Sequence, residues 1–323
     1  MHKYADMLSL GQLTSADFAA LLFSAAAQRK RRFGEALAGK HIALIFEKPS
    51  LRTRVTFEVA IRQLGGWPIL LGETESRLGE RESIPDLARN LSLWVDGIVA
   101  RVFRHSDLEE LAAFATIPVI NALSDWEHPC QALADILTLS DAWEEFSGRT
   151  VAYVGDWNNV SRSLWKACEL SGLDFRAVGP KGFGPKPGER VAWFTETDAL
   201  EGADAVYTDV WASMGQEHEL EQRIEVFRPY QVNERLLAKT GKRALFMHCL
   251  PAHRGLEVTD SVMDSEYSLV FRQAANRLPA EKALLISLLE NQDEATSEEG
   301  SPRLFRRFGH VDHHPVAQGK LWM

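Results

Sequence analysis

The chain holds only 3 cysteines in 323 residues: Cys130, Cys168 and Cys249. Their odd number and wide spacing leave no disulfide framework and no thiolate metal site, and they fit a reducing, cytoplasmic setting. Basic residues are in deficit, with Lys+Arg 36 against Asp+Glu 45 and a formal charge of −9. A general nucleic-acid binder needs a basic stripe to displace counterions from phosphate, so that class is excluded and any anion site has to be a local cluster. Long apolar runs are also missing. The most apolar stretch, 18–27, is broken by Ser24, preceded by Asp17 and followed by Gln28-Arg29-Lys30-Arg31-Arg32. It has neither the flanks of a signal peptide nor the ~20 residues of a membrane span, and reads as a helix capped by Thr14 or Ser15.

What is present is a globular composition, 45% hydrophobic and 25% charged, on a chain long enough for two domains or one large α/β unit. Apolar β-like runs at 41–46, 68–71, 97–102, 117–120, 150–154, 175–178, 205–208, 244–248 and 269–271 alternate with helical spacing at 52–64, 85–94, 131–140 and 163–170. That alternation predicts an α/β fold of two doubly wound parallel-sheet domains with a cleft between them. The series restarts at Thr150 after Ser147-Gly148. The expected division is 1–135 and 136–272, with a helix over 273–290 crossing back to complete the first domain. The composition of 291–323 changes from Glu, Ser, Gly and Pro to scattered Arg and His, which predicts a mobile tail whose histidines are incidental rather than metal ligands.

Two phosphate-loop imitators fail on context. The segment 34–40 fits G-x-x-x-x-G-K, but His41 stands where Ser or Thr should hold magnesium, and the segment precedes a strand. Gly182, Gly184 and Gly188 are spaced one residue too long for a dinucleotide loop and are stiffened by Pro185 and Pro187. The run Ser50-Leu51-Arg52-Thr53-Arg54 is different, because it sits where a strand ends and a helix begins. Free first-turn amides, the hydroxyls of Ser50 and Thr53 and a guanidinium can converge there on one phosphate; the bland alternative is a capped helix with solvated arginines.

His128-Pro129-Cys130-Gln131 opens another helix at a strand end and offers an imidazole and a carboxamide to a carbonyl oxygen and an amide. In Met247-His248-Cys249-Leu250-Pro251 a thiol follows a strand; it is a nucleophile only with a partnered base, and otherwise a buried spectator. Along an extended strand, His248 and Cys249 point to opposite faces. Asp209 with Ser213-Met214-Gly215, and Gly155-Asp156-Trp157-Asn158-Asn159, follow two further strands. Five such polar clusters at strand ends are harder to dismiss together than any one alone.

Taken together, Ser50-Leu51-Arg52-Thr53-Arg54, His128-Pro129-Cys130-Gln131, Asp209 with Ser213-Met214-Gly215, and His248-Cys249-Leu250-Pro251 make the chain resemble the aspartate/ornithine transcarbamoylase family, on its ornithine branch, over 1–290. The resemblance implies transfer of a carbamoyl group from carbamoyl phosphate to the δ-amine of ornithine, giving citrulline and phosphate in arginine metabolism. It implies that Ser50, Leu51, Arg52 and Thr53 hold the phosphate with Arg101, while Arg101, Thr53, His128 and Gln131 surround the carbamoyl group. Asn159, Asp209, Ser213 and Met214 are the implied ornithine ligands, Cys249 and Leu250 face the reacting groups, and Arg277 positions the carbonyl.

No metal or organic cofactor is implied, since the leaving phosphate can take the final proton. The implied partners are the two small substrates and sister subunits in a homotrimer or a multiple of trimers, with no nucleic acid and no membrane. Arg77 departs from a glutamine usual on the loop that reaches a neighbouring site, and no glutamate precedes Asn276-Arg277. Competing readings are a transcarbamoylase for an acylated ornithine or another amine, a non-catalytic carbamoyl phosphate-binding relative and, on fold alone, a dinucleotide oxidoreductase.

Overall fold

The computed structural model describes residues 6–72, 77–212 and 219–290; Ser213, Met214 and the tail 291–323 lie outside the described residues. Helix α1, Ser15–Gln28, starts at Thr14, whose hydroxyl accepts from Asp17 N while the Asp17 carboxylate accepts from Thr14 N. This reciprocal cap satisfies two of the amide groups that a helix start leaves unpaired.

The first sheet has 4 parallel strands in the order β2-β1-β3-β4: β1 His41–Phe46, β2 Trp67–Leu70, β3 Gly97–Arg101 and β4 Val119–Leu123. Helices α2 Leu51–Gln63, α3 Ile84–Trp94 and α4 His105–Phe114 are threaded between these strands, and α5 Pro129–Ala142 leaves the last of them. The second sheet has 5 parallel strands in the order β7-β6-β5-β8-β9: β5 Thr150–Val154, β6 Asp174–Val178, β7 Trp193–Phe194, β8 Ala205–Thr208 and β9 Leu245–His248. Its helices are α6 Asn159–Ser171, α7 Leu220–Phe227, α8 Glu234–Ala238 and α9 Asp260–Met263, and α10 Val270–Leu289 packs on α1, α2 and α5.

Continuous apolar burial explains why these strands sit inside. Both β3 and β5 are buried at every position, as parallel strands covered on two faces require. One core runs through the chain, joining Phe18, Leu44 and Phe57 to Leu137 of α5, Tyr153 of β5 and Leu285 of α10. Separate clusters fill the outer face of each sheet. At about 1.5–3 kcal/mol for each fully buried large aliphatic or aromatic side chain, the shared core is what fixes α10 against α5.

The run 269–271 is not a strand. Ser268 makes a single bridge to Phe246, Leu269 caps α10 and Val270 is its first residue, since three apolar residues carry no period to separate strand from helix. The run at 117–120 lies later than its apolar residues suggest, at Val119–Leu123, and the two-residue strand β7 had no readable signal. Helix α4 escaped notice although Leu108, Leu111 and Ala112 have helical spacing. No helix among the described residues is long and apolar enough to cross a membrane.

Candidate active site

In both sheets the carboxyl ends of the strands deliver the polar residues, as the topology of open parallel sheets dictates. Strand β1 leads through Glu47-Lys48-Pro49 to α2, whose N-cap Ser50 has extended backbone and makes no side-chain cap bond. The first-turn amides of Leu51, Arg52 and Thr53 therefore have no intrahelical acceptor, and the Ser50 hydroxyl is not spent on them. Leu51 exposes its side chain, so only its backbone suits an anion.

Arg101, the last residue of β3, is buried, and its guanidinium is lowered to about 10 by burial first and then by the charges of Arg277 and Arg52. Burial also lowers Arg52, reinforced by the charge of Arg277 and opposed by the Asp209 carboxylate. His128, the N-cap of α5, is driven well below its ordinary value by burial and by Arg277, Arg101 and Arg52. At neutral pH this is an uncharged imidazole among three guanidinium groups. Its Nδ1 is buried with no protein partner, while its backbone N–H donates to Ser163 Oγ at 2.8 Å.

The 20-residue helix α10 supplies Arg277. One Nη donates to Gln131 Oε1 at 2.8 Å, and the other to Thr53 Oγ1 at 3.0 Å and Glu281 Oε1 at 2.6 Å. Burial raises the Glu281 carboxyl to about 7 against the pull of Arg277. Like charges gathered this closely disfavour one another in a desolvated site and would be relieved by a doubly charged anion.

The opposite wall comes from the second sheet. Asp209, just past β8, accepts from Cys249 Sγ at 3.1 Å through Oδ1 and from Asn158 Nδ2 at 3.1 Å through Oδ2. Burial and the Asp209 carboxylate push the Cys249 thiol well above its ordinary range, so it carries its proton at neutral pH. His248 points the other way: Nε2 lies 3.2 Å from Glu257 Oε1, and Nδ1 accepts from Leu250 N at 2.9 Å. An accepting Nδ1 places the ring proton on Nε2. The turn holds Leu250 at φ +60°, a left-handed conformation that is rare for a branched side chain, beside a cis Leu250–Pro251 bond. Asp209, His248 and Cys249 are the metal-ligand types lying together, all within 4.8 Å, but both ring nitrogens of His248 are already committed.

Arg52, Arg101, His128, Gln131, Thr53 and Arg277 thus meet in one cluster, and the field of the Asp209 carboxylate at Arg52 joins it to the second wall. Asn159 is the first residue of α6, and its amide donates to Ser124 O at 2.7 Å; the neighbour Asn158 is the one that contacts Asp209. Arg77 is exposed, pairs with Glu80 at 3.1 Å, and lines a cavity of about 600 Å³ with Lys48, Ser50, Leu51 and Arg54.

Sequence reasoning missed Asp135, Tyr207, Glu257 and Glu281. Asp135 and Glu281 stand four residues beyond Gln131 and Arg277, a helical spacing that signals contact. Glu257 and Tyr207 had no local signal.

Two family models cover the chain: the carbamoyl-P binding domain of aspartate/ornithine carbamoyltransferase over residues 5–141, and the Asp/Orn binding domain over 147–288. An ornithine carbamoyltransferase of Shewanella oneidensis is 48% identical over 269 residues, 79% of this chain and 89% of the relative. The crystal structure of ornithine carbamoyltransferase from Thermus thermophilus aligns with TM-score 0.83 and 46% identity over 89% of this chain and 100% of its own. That of Pyrococcus furiosus aligns with TM-score 0.84 and 44% identity, covering 88% and 97%.

Proposed function

The chain belongs to the aspartate/ornithine carbamoyltransferase family, and we propose that it transfers the carbamoyl group of carbamoyl phosphate to the δ-amine of L-ornithine, giving L-citrulline and phosphate. The observation that carries this reading is the cluster of Arg52, Arg101 and Arg277 around a neutral His128, faced by the Cys249–Asp209 pair.

In this reading the α2 amino terminus, with Ser50, Leu51, Arg52 and Thr53, binds the phosphate together with Arg101. Arg101, His128, Gln131, Thr53 and Arg277 hold the carbamoyl group, with Leu250 and Cys249 over it. Attack of a neutral amine on the carbonyl carbon puts negative charge on the carbonyl oxygen. Donors already aimed at that oxygen each contribute about 2.7–4 kcal/mol to the transition state. The tetrahedral carbon then loses phosphate as its C–O bond breaks, and the departing phosphate takes the proton of the attacking amine, leaving as the hydrogen phosphate dianion.

An ornithine amine has a reference pKa of about 10.4, so the site has to favour its neutral form. Nearby guanidinium groups and burial push in that direction. Asp209 would oppose it if it faced the amine alone, but its Oδ1 is engaged by the protonated Cys249 and its Oδ2 by Asn158. Asp209 and Asn159, with Ser213 and Met214, are the proposed ornithine contacts, and Asp209, Cys249, Arg101 and His128 the proposed catalytic set.

The two halves are proposed as 1–135 completed by 273–290, for carbamoyl phosphate, and 136–272, for ornithine; the family models, which meet between 141 and 147, support a division in this region. Three free cysteines suit a cytoplasmic protein of arginine metabolism. A homotrimer, with Arg77 reaching toward a neighbouring site, is supported by the apolar side chains exposed on the edge strand β2.

The test is a panel of ornithine, acetylornithine, succinylornithine, putrescine and aspartate offered with carbamoyl phosphate to the purified protein. Citrulline from ornithine is expected. Turnover of an acylated ornithine alone, or carbamoyl phosphate binding with no product, would replace this assignment.

A further inference from the structure

Behind the carbamoyl half lies a carboxylate that no step above uses. Asp135 is fully buried, one helical turn past Gln131 on the same face of α5. Its Oδ1 accepts from Gln131 Nε2 at 2.8 Å and from Gln273 Nε2 at 2.7 Å. Gln273 stands in the first turn of α10; its Oε1 accepts from the backbone N–H of His248 at 3.1 Å, and its Nε2 also reaches Tyr207 Oη at 3.0 Å. His248 immediately precedes Cys249. One carboxylate oxygen therefore touches a side chain of the cationic cluster and the side chain that supports the thiol-bearing turn.

The two ends of a carboxamide are alike in shape and opposite in function, so its orientation is decided by its neighbours. An acceptor at Asp135 draws both NH2 groups toward itself. That leaves Gln131 Oε1 facing the donor-only Arg277, and Gln273 Oε1 facing the His248 amide. Without the acceptor, two buried NH2 groups lose a partner, and Gln131 is free to turn its NH2 toward Arg277, where donor meets donor.

We propose that Asp135 is a positioning residue that sorts the amides of Gln131 and Gln273 with a single oxygen, holding the carbamoyl-binding wall and the Cys249 wall of the cleft in one arrangement. This rests on the carbamoyl-transfer reading, which gives Gln131 its task. Burial raises the Asp135 carboxyl to about 7 against its hydrogen bonds. A protonated carboxyl still offers a carbonyl oxygen, so acceptor geometry matters here and full charge does not.

Asp135→Asn keeps that oxygen, and Asp135→Leu removes it on the same branched skeleton, with bulkier methyl ends. The KM for carbamoyl phosphate should stay within about threefold of wild type in D135N, and rise about tenfold in D135L with kcat down about 100-fold, the scale of a slightly misplaced reactant. In a Gln131→Leu background, adding D135L should change that KM by less than about twofold, because the two act through one contact. Equal damage in D135N and D135L, or multiplicative losses in the double variant, would overturn the proposal.

If D135L does not fold, Gln273→Leu takes its place. Asp135 still grips Gln131 there, so the carbamoyl phosphate KM should hold within about twofold while kcat falls; an unchanged kcat refutes the link to the Cys249 turn. Calorimetric binding of carbamoyl phosphate to each variant separates the two claims. Wild type that binds it but forms no citrulline removes the ornithine reading alone, whereas D135L binding as tightly as wild type and D135N removes the role of Asp135.

Discussion

At Arg52 the cleft joins its two walls: the guanidinium feels the charge of Arg277 from one and the Asp209 carboxylate from the other. Arg52→Ala should therefore lower kcat by about 10²–10³ with every amine acceptor, since it removes a cation that holds the phosphate, which gains negative charge as it leaves. Asp209→Ala should chiefly raise the KM for ornithine and leave carbamoyl phosphate binding near wild type. Steady-state kinetics in both substrates checks the pair, and two variants indistinguishable from wild type would contradict the assignment.

His128 gives a prediction in pH. Burial and three guanidinium groups keep it neutral well into acid, so no acidic limb near 6.5 belongs to it. Raising the pH deprotonates the free amine, so kcat/KM for ornithine should climb about tenfold per unit below the amine pKa, with no inflection near 6.5 that belongs to His128. A break near pH 6.5 that disappears in His128→Asn would show that the imidazole titrates there.

At the scale of elements, stability and catalysis separate cleanly at α1. The Thr14–Asp17 cap lies on the surface, and removing it by Thr14→Ala should cost about 1 kcal/mol in urea denaturation without altering kcat or either KM. A larger loss, or a kinetic effect, would mean that α1 transmits more to α10 than packing alone. The same helix shows what was legible beforehand. Its cap, its apolar stripe and its basic ending were readable because each is a local signal. So were β1, β5 and β8, whose bounds match the apolar runs.

Legibility failed where the decisive partner is distant. Leu269-Val270-Phe271 looks like a strand until Gln273 and Arg277 draw the segment into a helix against α5. The site shows the same division. Residues at strand ends announced themselves through motif and position, whereas Glu257, nine residues past His248, is recognisable only once the turn brings its carboxylate to the imidazole. Asp135 lies between these cases: its helical spacing from Gln131 is local, but its second bond to Gln273 spans 138 residues.

At the scale of the whole molecule, the edge of the first sheet is unfinished. Strand β2 is an outer strand, and it exposes Trp67 at 59%, Ile69 at 38% and Leu70 at 42%, while Leu51 and Val55 are exposed one turn apart on α2. An edge strand left open and apolar invites pairing with another chain unless charge or proline protects it, and Pro68 is the only such guard within β2. Arg77, which follows this edge in sequence, shares a cavity with Ser50 and Leu51 of the phosphate-binding turn. A subunit docked on that edge would cover the apolar side chains and bring its own loop to the neighbouring cleft, so assembly and activity would be coupled. Trp67→Lys with Ile69→Lys should then lower the mass seen by light scattering from three 36.2 kDa chains to one. Circular dichroism should be unchanged, because both side chains point away from the core. Activity of the monomer should fall more than in Arg77→Ala, which loses only the shared contact. A wild-type protein that already runs as a single chain would exclude the trimer and leave Arg77 serving its own site.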